Sequence, residues 1–343
     1  MTVRVGINGF GRIGRSFFRA ILERGADAGV ELVAVNDPFG DAETMAFLLK
    51  HDSVGGTLHH DVAVAEGGFS VDGKLIKKLE FRDPSEIPWS AEGVDVVIES
   101  TGLFTAREGA AGHLKGGAKR VVISAPSPDA DATICMGVND EVFDSAAHTV
   151  ISNASCTTNC LAPLAKVLDD AFGIEQGLIT TVHAYTSDQQ LQDQAVATRS
   201  GKPDLRRMRA AALSIIPNST GAARAIGVVL PSLQGKLDGM ALRVPTPTGS
   251  ITDLVVVVKK DVDAAAVNAA FEKAAADPRF RGVLKYSTEP LVSADIVHDP
   301  SSCVFSAIDT LTNGRQVKVL GWYDNEWGYS NRLVDLVKFI GAK

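Results

Sequence analysis

The spacing of apolar and polar positions divides this chain into two parts with different rhythms. In the first part, short apolar runs alternate with stretches of helical spacing. Residues 3–7 and 31–35 read as strands, and 14–22 and 41–49 as helices. Residues 94–98 and 121–123 are β-branched runs without polar alternation, the mark of strands covered on both faces of a parallel sheet. Between them, 69–79 alternates about Asp72-Gly73, which predicts a hairpin. The first part is therefore a βαβ domain with an antiparallel excursion.

The rhythm changes at Cys156. A helix is expected over about 157–171, with Leu161, Leu164, Ala165 and Leu168 on one face, then a strand over 178–183 and a polar stretch over 187–204. A helix is predicted to open near Ser219-Thr220-Gly221. Strands over 239–244 and 250–259, a helix over 264–275, and strands over 302–309 and 316–322 follow. Long strands joined by single long helices predict a mostly antiparallel sheet with one covered face. The last segment, 329–340, is amphipathic and helical.

Composition narrows the function classes. At 343 residues two domains are expected, and 45% hydrophobic with 22% charged residues is ordinary for a globular protein. The longest apolar runs are too short to span a membrane. The start of the sequence runs straight into a strand pattern without a signal-like segment, so a cytoplasmic location is expected. A net charge of −7 argues against general nucleic-acid binding. The local basic run Arg206, Arg207, Arg209, preceded by Arg199 and Lys202, fits a solvated or subunit-facing loop. Four cysteines in such a chain are not a disulfide framework.

Two patterns carry chemistry. Gly9-Phe10-Gly11-Arg12-Ile13-Gly14 follows a strand and opens a helix, the place where glycines permit a tight turn, close approach to a pyrophosphate and close helix packing. The second strand ends at Asn36-Asp37, which puts a carboxylate where ribose hydroxyls would lie. That carboxylate would repel a 2′-phosphate, so NAD rather than NADP is expected. The second pattern is Asn153-Ala154-Ser155-Cys156-Thr157-Thr158-Asn159-Cys160 ahead of an apolar helix. A thiol in a helix's first turn meets unpaired N–H groups and the positive dipole end, which favour thiolate and neighbouring anions. Three hydroxyl neighbours make a poor core, which favours a nucleophile over a buried, inert thiol.

A thiolate attacking a carbonyl needs a proton partner, and His183 at the end of its strand is the candidate base. A lone histidine in that setting is more often structural; the nucleophile and the nicotinamide cofactor tip the reading. Cys156 and Cys160 stand at i and i+4, but no second ligand pair completes a metal site, so none is expected. Two helix N-termini with Ser155, Thr157, Thr220 and Gly221, together with Arg243, can bind oxyanions. Simple capping accounts for the hydroxyls equally well.

Six segments together resemble phosphorylating glyceraldehyde-3-phosphate dehydrogenases. They are Ile-Asn-Gly-Phe-Gly-Arg-Ile-Gly-Arg (7–15), Ser-Asn-Ala-Ser-Cys-Thr-Thr-Asn-Cys-Leu-Ala-Pro (152–163), Thr-Val-His-Ala-Tyr-Thr (181–186), Ile-Ile-Pro-Asn-Ser-Thr-Gly-Ala-Ala (215–223), Arg-Val-Pro-Thr-Pro (243–247) and Trp-Tyr-Asp-Asn-Glu-Trp-Gly-Tyr-Ser (322–330). The resemblance runs the full length, in order. It implies an α/β Rossmann domain over 1–155, onto which the C-terminal helix (about 323–343) packs back, and an α+β catalytic domain over 156–322.

It also implies a cytoplasmic homotetramer that uses NAD and inorganic phosphate to convert glyceraldehyde 3-phosphate to 1,3-bisphosphoglycerate, in glycolysis or gluconeogenesis. Cys156 then corresponds to the nucleophile and His183 to the base. Thr186 and Arg243 match the group holding the substrate's phosphate, and Ser155, Thr157, Thr220 and Gly221 the site of attacking phosphate. Arg12, Ile13, Asp37, Ser127, Asn325 and Tyr329 are expected at the cofactor, beside Gly9, Phe10, Gly11 and Gly14.

Two departures stand out: 194–202 is several residues longer than the family pattern, and 36–41 carries one extra residue. The longer loop is expected to reshape the active-site mouth. Erythrose-4-phosphate dehydrogenase, a semialdehyde dehydrogenase and an idle NAD-binding protein are the competing readings.

Overall fold

The computed structural model describes residues 2–195 and 204–343; most of the longer 194–202 stretch, with Arg199 and Lys202, lies outside the described residues. Contacts group the chain into two units, Met1–Ser155 with Tyr329–Lys343, and Cys156–Gly328.

The first unit holds a nine-stranded sheet among the described residues. Its parallel part runs Ala132–Thr133, Val150–Ser152, Arg120–Ile123, Val96–Glu99, Val3–Asn8, Val30–Asn36 and Lys74–Leu79. Gly68–Val71 and Val62–Ala65 add antiparallel strands at one edge. The expected hairpin turns at Asp72 and Gly73, both with positive φ (50° and 77°), as a two-residue turn of this twist requires. The β-branched runs are buried on both sides: Val96, Val97, Ile98, Val121, Val122 and Ile123 are at most 2% exposed. Strand Val3–Asn8 lies between Val30–Asn36 and Val96–Glu99, so the chain leaves the sheet centre in opposite directions and opens a crevice at the strands' carboxyl ends.

Helix Trp327–Gly341 contributes its later residues to this unit. Asp335 pairs with Arg24 at 2.5 Å, Asn331 accepts from Arg24 Nε, and Phe339 packs on Phe143.

The second unit holds a seven-stranded sheet among the described residues: Ile216–Ser219, Leu237–Val244, Ile174–Ala184, Ser250–Val258, Gln316–Tyr323, Cys303–Asn313 and Leu284–Ser287. Four neighbouring pairs are antiparallel and two parallel. Helix Cys156–Phe172 covers one face; Leu161, Leu164, Ala165 and Leu168 are fully buried. They meet the inward side of alternating strands, where Leu254 pairs with Val319 and Val256 with Val317, all buried. The other face leaves Leu178 (66%) and Met240 (40%) exposed.

The helix expected to open near Ser219-Thr220-Gly221 is present, with a strand directly ahead of it. Ile216–Ser219 is a strand whose residues pair with 240–243, and the helix begins at Ala222 with Gly221 as its N-cap. Ladder pairing to a long neighbour carries the strand through Ser219, while Thr220 lies beyond it and accepts from the Ala222 amide at the helix start.

Candidate active site

The crevice of the first unit is made largely by backbone. Gly9 has φ +92°, and a Cβ there would stand 2.7 Å from the Thr101 amide nitrogen. A Cβ at Gly14 would lie 2.5 Å from the Gly9 carbonyl oxygen, whereas Gly11 has nothing within 4 Å. Open space at Gly11, at the start of helix Arg12–Arg24, is what a pyrophosphate needs to reach the N–H groups of the first turn. Asp37 is fixed by two backbone donors, Phe10 N–H and Phe39 N–H, each at 2.9 Å. A carboxylate retains lone pairs beyond these two for ribose hydroxyls.

The cleft, about 270 Å³, has Asn8, Gly9, Gly11, Asp37, Phe81 and Thr101 among its walls. Arg12 is gripped through both guanidinium nitrogens by Asp52, at 2.5 and 3.3 Å. Burial alone would raise the Asp52 carboxyl; the Gly55 amide, Arg12 and the Val54 amide reverse this and bring it down to about 2.

Ile13, half-buried, follows Arg12 in the helix, and Ser127 Oγ accepts from the Ala130 amide at 3.1 Å. Tyr329 is 4% exposed, and its hydroxyl donates to the Ala154 carbonyl at 3.1 Å. That contact braces Ala154, a non-glycine residue at φ +54°, one residue before Ser155.

The second unit assembles side chains from separate segments. Cys156 is the first residue of its helix, and its Sγ lies 3.4 Å from His183 Nε2. His183 and Arg243 are direct partners on parallel strands. Arg243 Nη1 stands 2.8 Å from His183 Nδ1 and donates to the Ala184 carbonyl (3.0 Å) and Thr186 Oγ1 (3.1 Å). Thr186 in turn donates to Asp188, which pairs with Arg207. Asp188 was missed in the sequence because it sits in a polar stretch without periodicity; its offset of two from Thr186 was the available signal.

Thr157 is turned inward, its hydroxyl bonded to Tyr323 at 2.9 Å; Tyr323 also bonds Thr181 at 2.7 Å and presents its ring edge-on to His183. Thr220 Oγ1 accepts from the Ala222 amide at 3.2 Å, beside exposed Gly221 at the helix start. Asn325 is buried, and its side-chain oxygen accepts from Ser250 at 2.8 Å, which fixes where its donor end points.

Cys156 keeps some accessible surface yet sits among protein atoms. Burial pushes its thiol up to about 11, against Arg243 and the Thr157 amide and hydroxyl, which pull it down. Burial, helped by the Arg243 charge, pushes His183 down to about 3. Charging either group alone is therefore opposed, and the helix N-terminus by itself does not produce a thiolate. Moving the proton from Sγ to Nε2 keeps the pair neutral as a whole and gives each charge its counter-charge at 3.4 Å.

Comparison with known proteins settles the family. The model described as the glyceraldehyde 3-phosphate dehydrogenase NAD binding domain matches residues 3–107, and that of the C-terminal domain matches 155–325. This chain belongs to the glyceraldehyde-3-phosphate dehydrogenase family. It is 59% identical to the glyceraldehyde-3-phosphate dehydrogenase of Streptomyces coelicolor over 342 residues, 99% of each chain. It is 58% identical to that of Mycobacterium avium over 346 residues, again 99% of each. As a glyceraldehyde-3-phosphate dehydrogenase family member it is an NAD-dependent oxidoreductase, and the NAD-binding domain carries the glycine-rich crevice. Among the described residues no helix is long and apolar enough to cross a membrane.

Proposed function

We propose that this protein oxidises glyceraldehyde 3-phosphate with NAD and inorganic phosphate to 1,3-bisphosphoglycerate, with Cys156 as nucleophile and His183 as base. The observation that carries the reading is the thiol–imidazole pair at 3.4 Å beside a cationic Arg243–Thr186 group. Two buried donors next to Thr186, Arg243 Nε and Gln189 Nε2, have no acceptor among the described residues, and Gln189 Oε1 is held by the Thr186 amide. Donors left unpaired in that position suit the oxygens of a substrate phosphate.

The chemistry follows from these contacts. Cys156 adds to the aldehyde carbon as its proton passes to His183 Nε2, and the new alkoxide takes that proton back from Nε2 to give a thiohemiacetal and a neutral ring. For Nε2 to accept, Nδ1 must carry the ring's other proton and donate it to the Ala184 carbonyl at 2.7 Å, which requires the Arg243 Nη1 donor, 2.8 Å from the same atom, to turn toward the substrate phosphate. The Arg243 charge beside Nδ1 opposes protonation of the ring; a substrate phosphate taking that charge would raise the basicity of His183 on binding. His183 then removes the thiohemiacetal hydroxyl proton as the carbon gives up its hydride, which together leave an acyl thioester on Cys156. NAD, when bound, accepts the hydride from the same carbon. Phosphate attacks the thioester carbon, the C–S bond breaks, and the Cys156 thiolate recovers a proton from His183.

The two units serve as cofactor and catalytic domains in this reading, with the Thr220–Gly221 helix start of the second unit as the group for the attacking phosphate. The exposed aliphatic sheet face of the second unit supports a homotetramer. Following NADH formation from glyceraldehyde 3-phosphate with and without phosphate tests the reading. Sustained turnover only with phosphate is expected; turnover indifferent to phosphate would assign a hydrolytic relative such as an erythrose-4-phosphate dehydrogenase.

A further inference from the structure

A buried polar cluster beneath the dinucleotide cleft takes no part in the chemistry above. Glu99, the last residue of strand Val96–Glu99, is 1% exposed, and His113, which faces it, is fully buried. Trp89 Nε1 donates to His113 Nδ1 at 3.0 Å. An indole nitrogen can only donate, so Nδ1 carries a lone pair, the proton sits on Nε2, and the ring is neutral. Nε2–H then donates to Glu99 Oε2 at 3.0 Å.

Asn8 Nδ2 donates to the same oxygen at 2.6 Å, while Glu99 Oε1 accepts from the Thr101 amide (2.9 Å) and hydroxyl (2.5 Å). The orientation of Asn8 is itself determined. The Asn36 amide is fixed by both polar groups of the Phe81 backbone, and its Nδ2 donates to Asn8 Oδ1 at 2.8 Å, which leaves the Asn8 NH₂ facing Glu99.

These bonds tie together the carboxyl ends of three strands, Val3–Asn8, Val30–Asn36 and Val96–Glu99, where the cleft opens. Thr101, held by Glu99, is the residue against which Gly9 packs with no room for a Cβ.

We infer that Glu99 and His113 are positioning residues for NAD: a buried carboxylate, satisfied by neutral donors, sets the spacing between the Gly9 turn and the Thr101 loop. The inference rests on NAD occupying this cleft. The arrangement requires an acceptor on both oxygens. A glutamine at 99 would aim its NH₂ either at Asn8 and His113, both donors, or at the Thr101 amide. Glutamine at 113, in contrast, can accept from Trp89 and donate to Glu99, as the neutral ring does.

The experiment measures NAD dissociation constants by calorimetry on the full chain for wild type, Glu99→Gln, His113→Phe, His113→Gln and Gly11→Leu. Cys156-dependent hydrolysis of p-nitrophenyl acetate, which needs no NAD, is measured alongside. Gly11 lies in open space, so Gly11→Leu blocks the cleft without disturbing the core, and it should abolish binding.

Glu99→Gln and His113→Phe should each weaken NAD binding about tenfold or more, since unpaired buried donors carry that cost. Their ester hydrolysis should stay within about twofold of wild type, and His113→Gln should bind NAD within about threefold of wild type. Wild-type affinity in Glu99→Gln and His113→Phe would overturn the inference. So would equal loss in His113→Gln and His113→Phe, because the neutral donor–acceptor role would then be wrong; that pair also decides the matter if Glu99→Gln fails to fold. Unchanged binding in Gly11→Leu would instead overturn the cleft as the NAD site.

Discussion

The dinucleotide cleft and the thiol centre are built in opposite ways. The cleft draws mainly on backbone: Gly9, Gly11 and Gly14 act through what their missing side chains allow, and Asp37, at the end of the next strand, is held by two backbone amides. The thiol centre draws on Cys156, His183, Thr186, Asp188 and Arg243, side chains carried by a helix, two parallel strands and the loop that follows one of them. Strand register makes the second site. His183 is opposite Arg243 only because Gly177 pairs with Leu237 and the ladder runs on without a slip. A site made by backbone depends on side chains chiefly through those that hold the backbone in place; a site made by register depends on each side chain directly.

That contrast can be broken by substitution, and the largest effects belong to the thiol centre. Cys156→Ser should lower dehydrogenase turnover by about 10⁴ or more, the scale for losing a nucleophile, while calorimetry still finds NAD bound. Turnover near wild type would remove Cys156 from its role. His183→Asn should cost about 10²–10⁴ in kcat. It also isolates the thiol. With burial holding the lone group near 11, its iodoacetamide alkylation should rise about tenfold per pH unit from pH 7 to 10, because the thiolate fraction grows at that rate below the pKa. The wild-type pair should react at least about tenfold faster at pH 7; identical pH profiles would show that the proton does not pass to His183.

Smaller effects sharpen the comparison. Arg243→Gln should reduce kcat/KM for glyceraldehyde 3-phosphate by about 10–100-fold, the worth of one or two charge-assisted bonds, without changing NAD affinity. Equal losses in both would mean that Arg243 supports the fold rather than the substrate. In the cleft, Asp37→Gly should narrow the preference for NAD over NADP by about tenfold, as expected when one repelling carboxylate is removed. Steady-state constants for both cofactors decide this, and an unchanged ratio would place the discrimination elsewhere.

The same contrast explains what could be read in the sequence. The glycine motif and Asp37 were legible because their geometry is local: a strand end, a turn and a helix start lie within a few residues. The covered helix face at Leu161, Leu164, Ala165 and Leu168 was legible for the same reason. Cys156 and His183 were candidates by chemistry, but their 3.4 Å approach is a product of tertiary packing.

Glu99, His113 and Asp188 escaped because each looks ordinary in its own segment and gains meaning only from partners elsewhere in the chain. The strands Val62–Ala65, Ala132–Thr133, Val150–Ser152 and Leu284–Ser287 are too short for a period to register. Ile216–Ser219 was hidden by the helix-start signal that directly follows it: Ser219 extends a ladder, and the helix begins at Ala222. The longer 194–202 loop falls largely outside the described residues; unchanged KM and inhibitor profiles after trimming residues 195–200 would argue against its shaping the active-site mouth.

The central claim is that a thioester on Cys156 links oxidation to phosphate transfer. A single-turnover experiment with NAD and glyceraldehyde 3-phosphate but no phosphate tests it directly. The account predicts a burst of about one NADH per active site. Acid quench and peptide mass analysis should then find the phosphoglyceroyl group on the peptide containing Cys156, released when phosphate is added. Steady NADH formation without phosphate, with Cys156 unmodified, would contradict it.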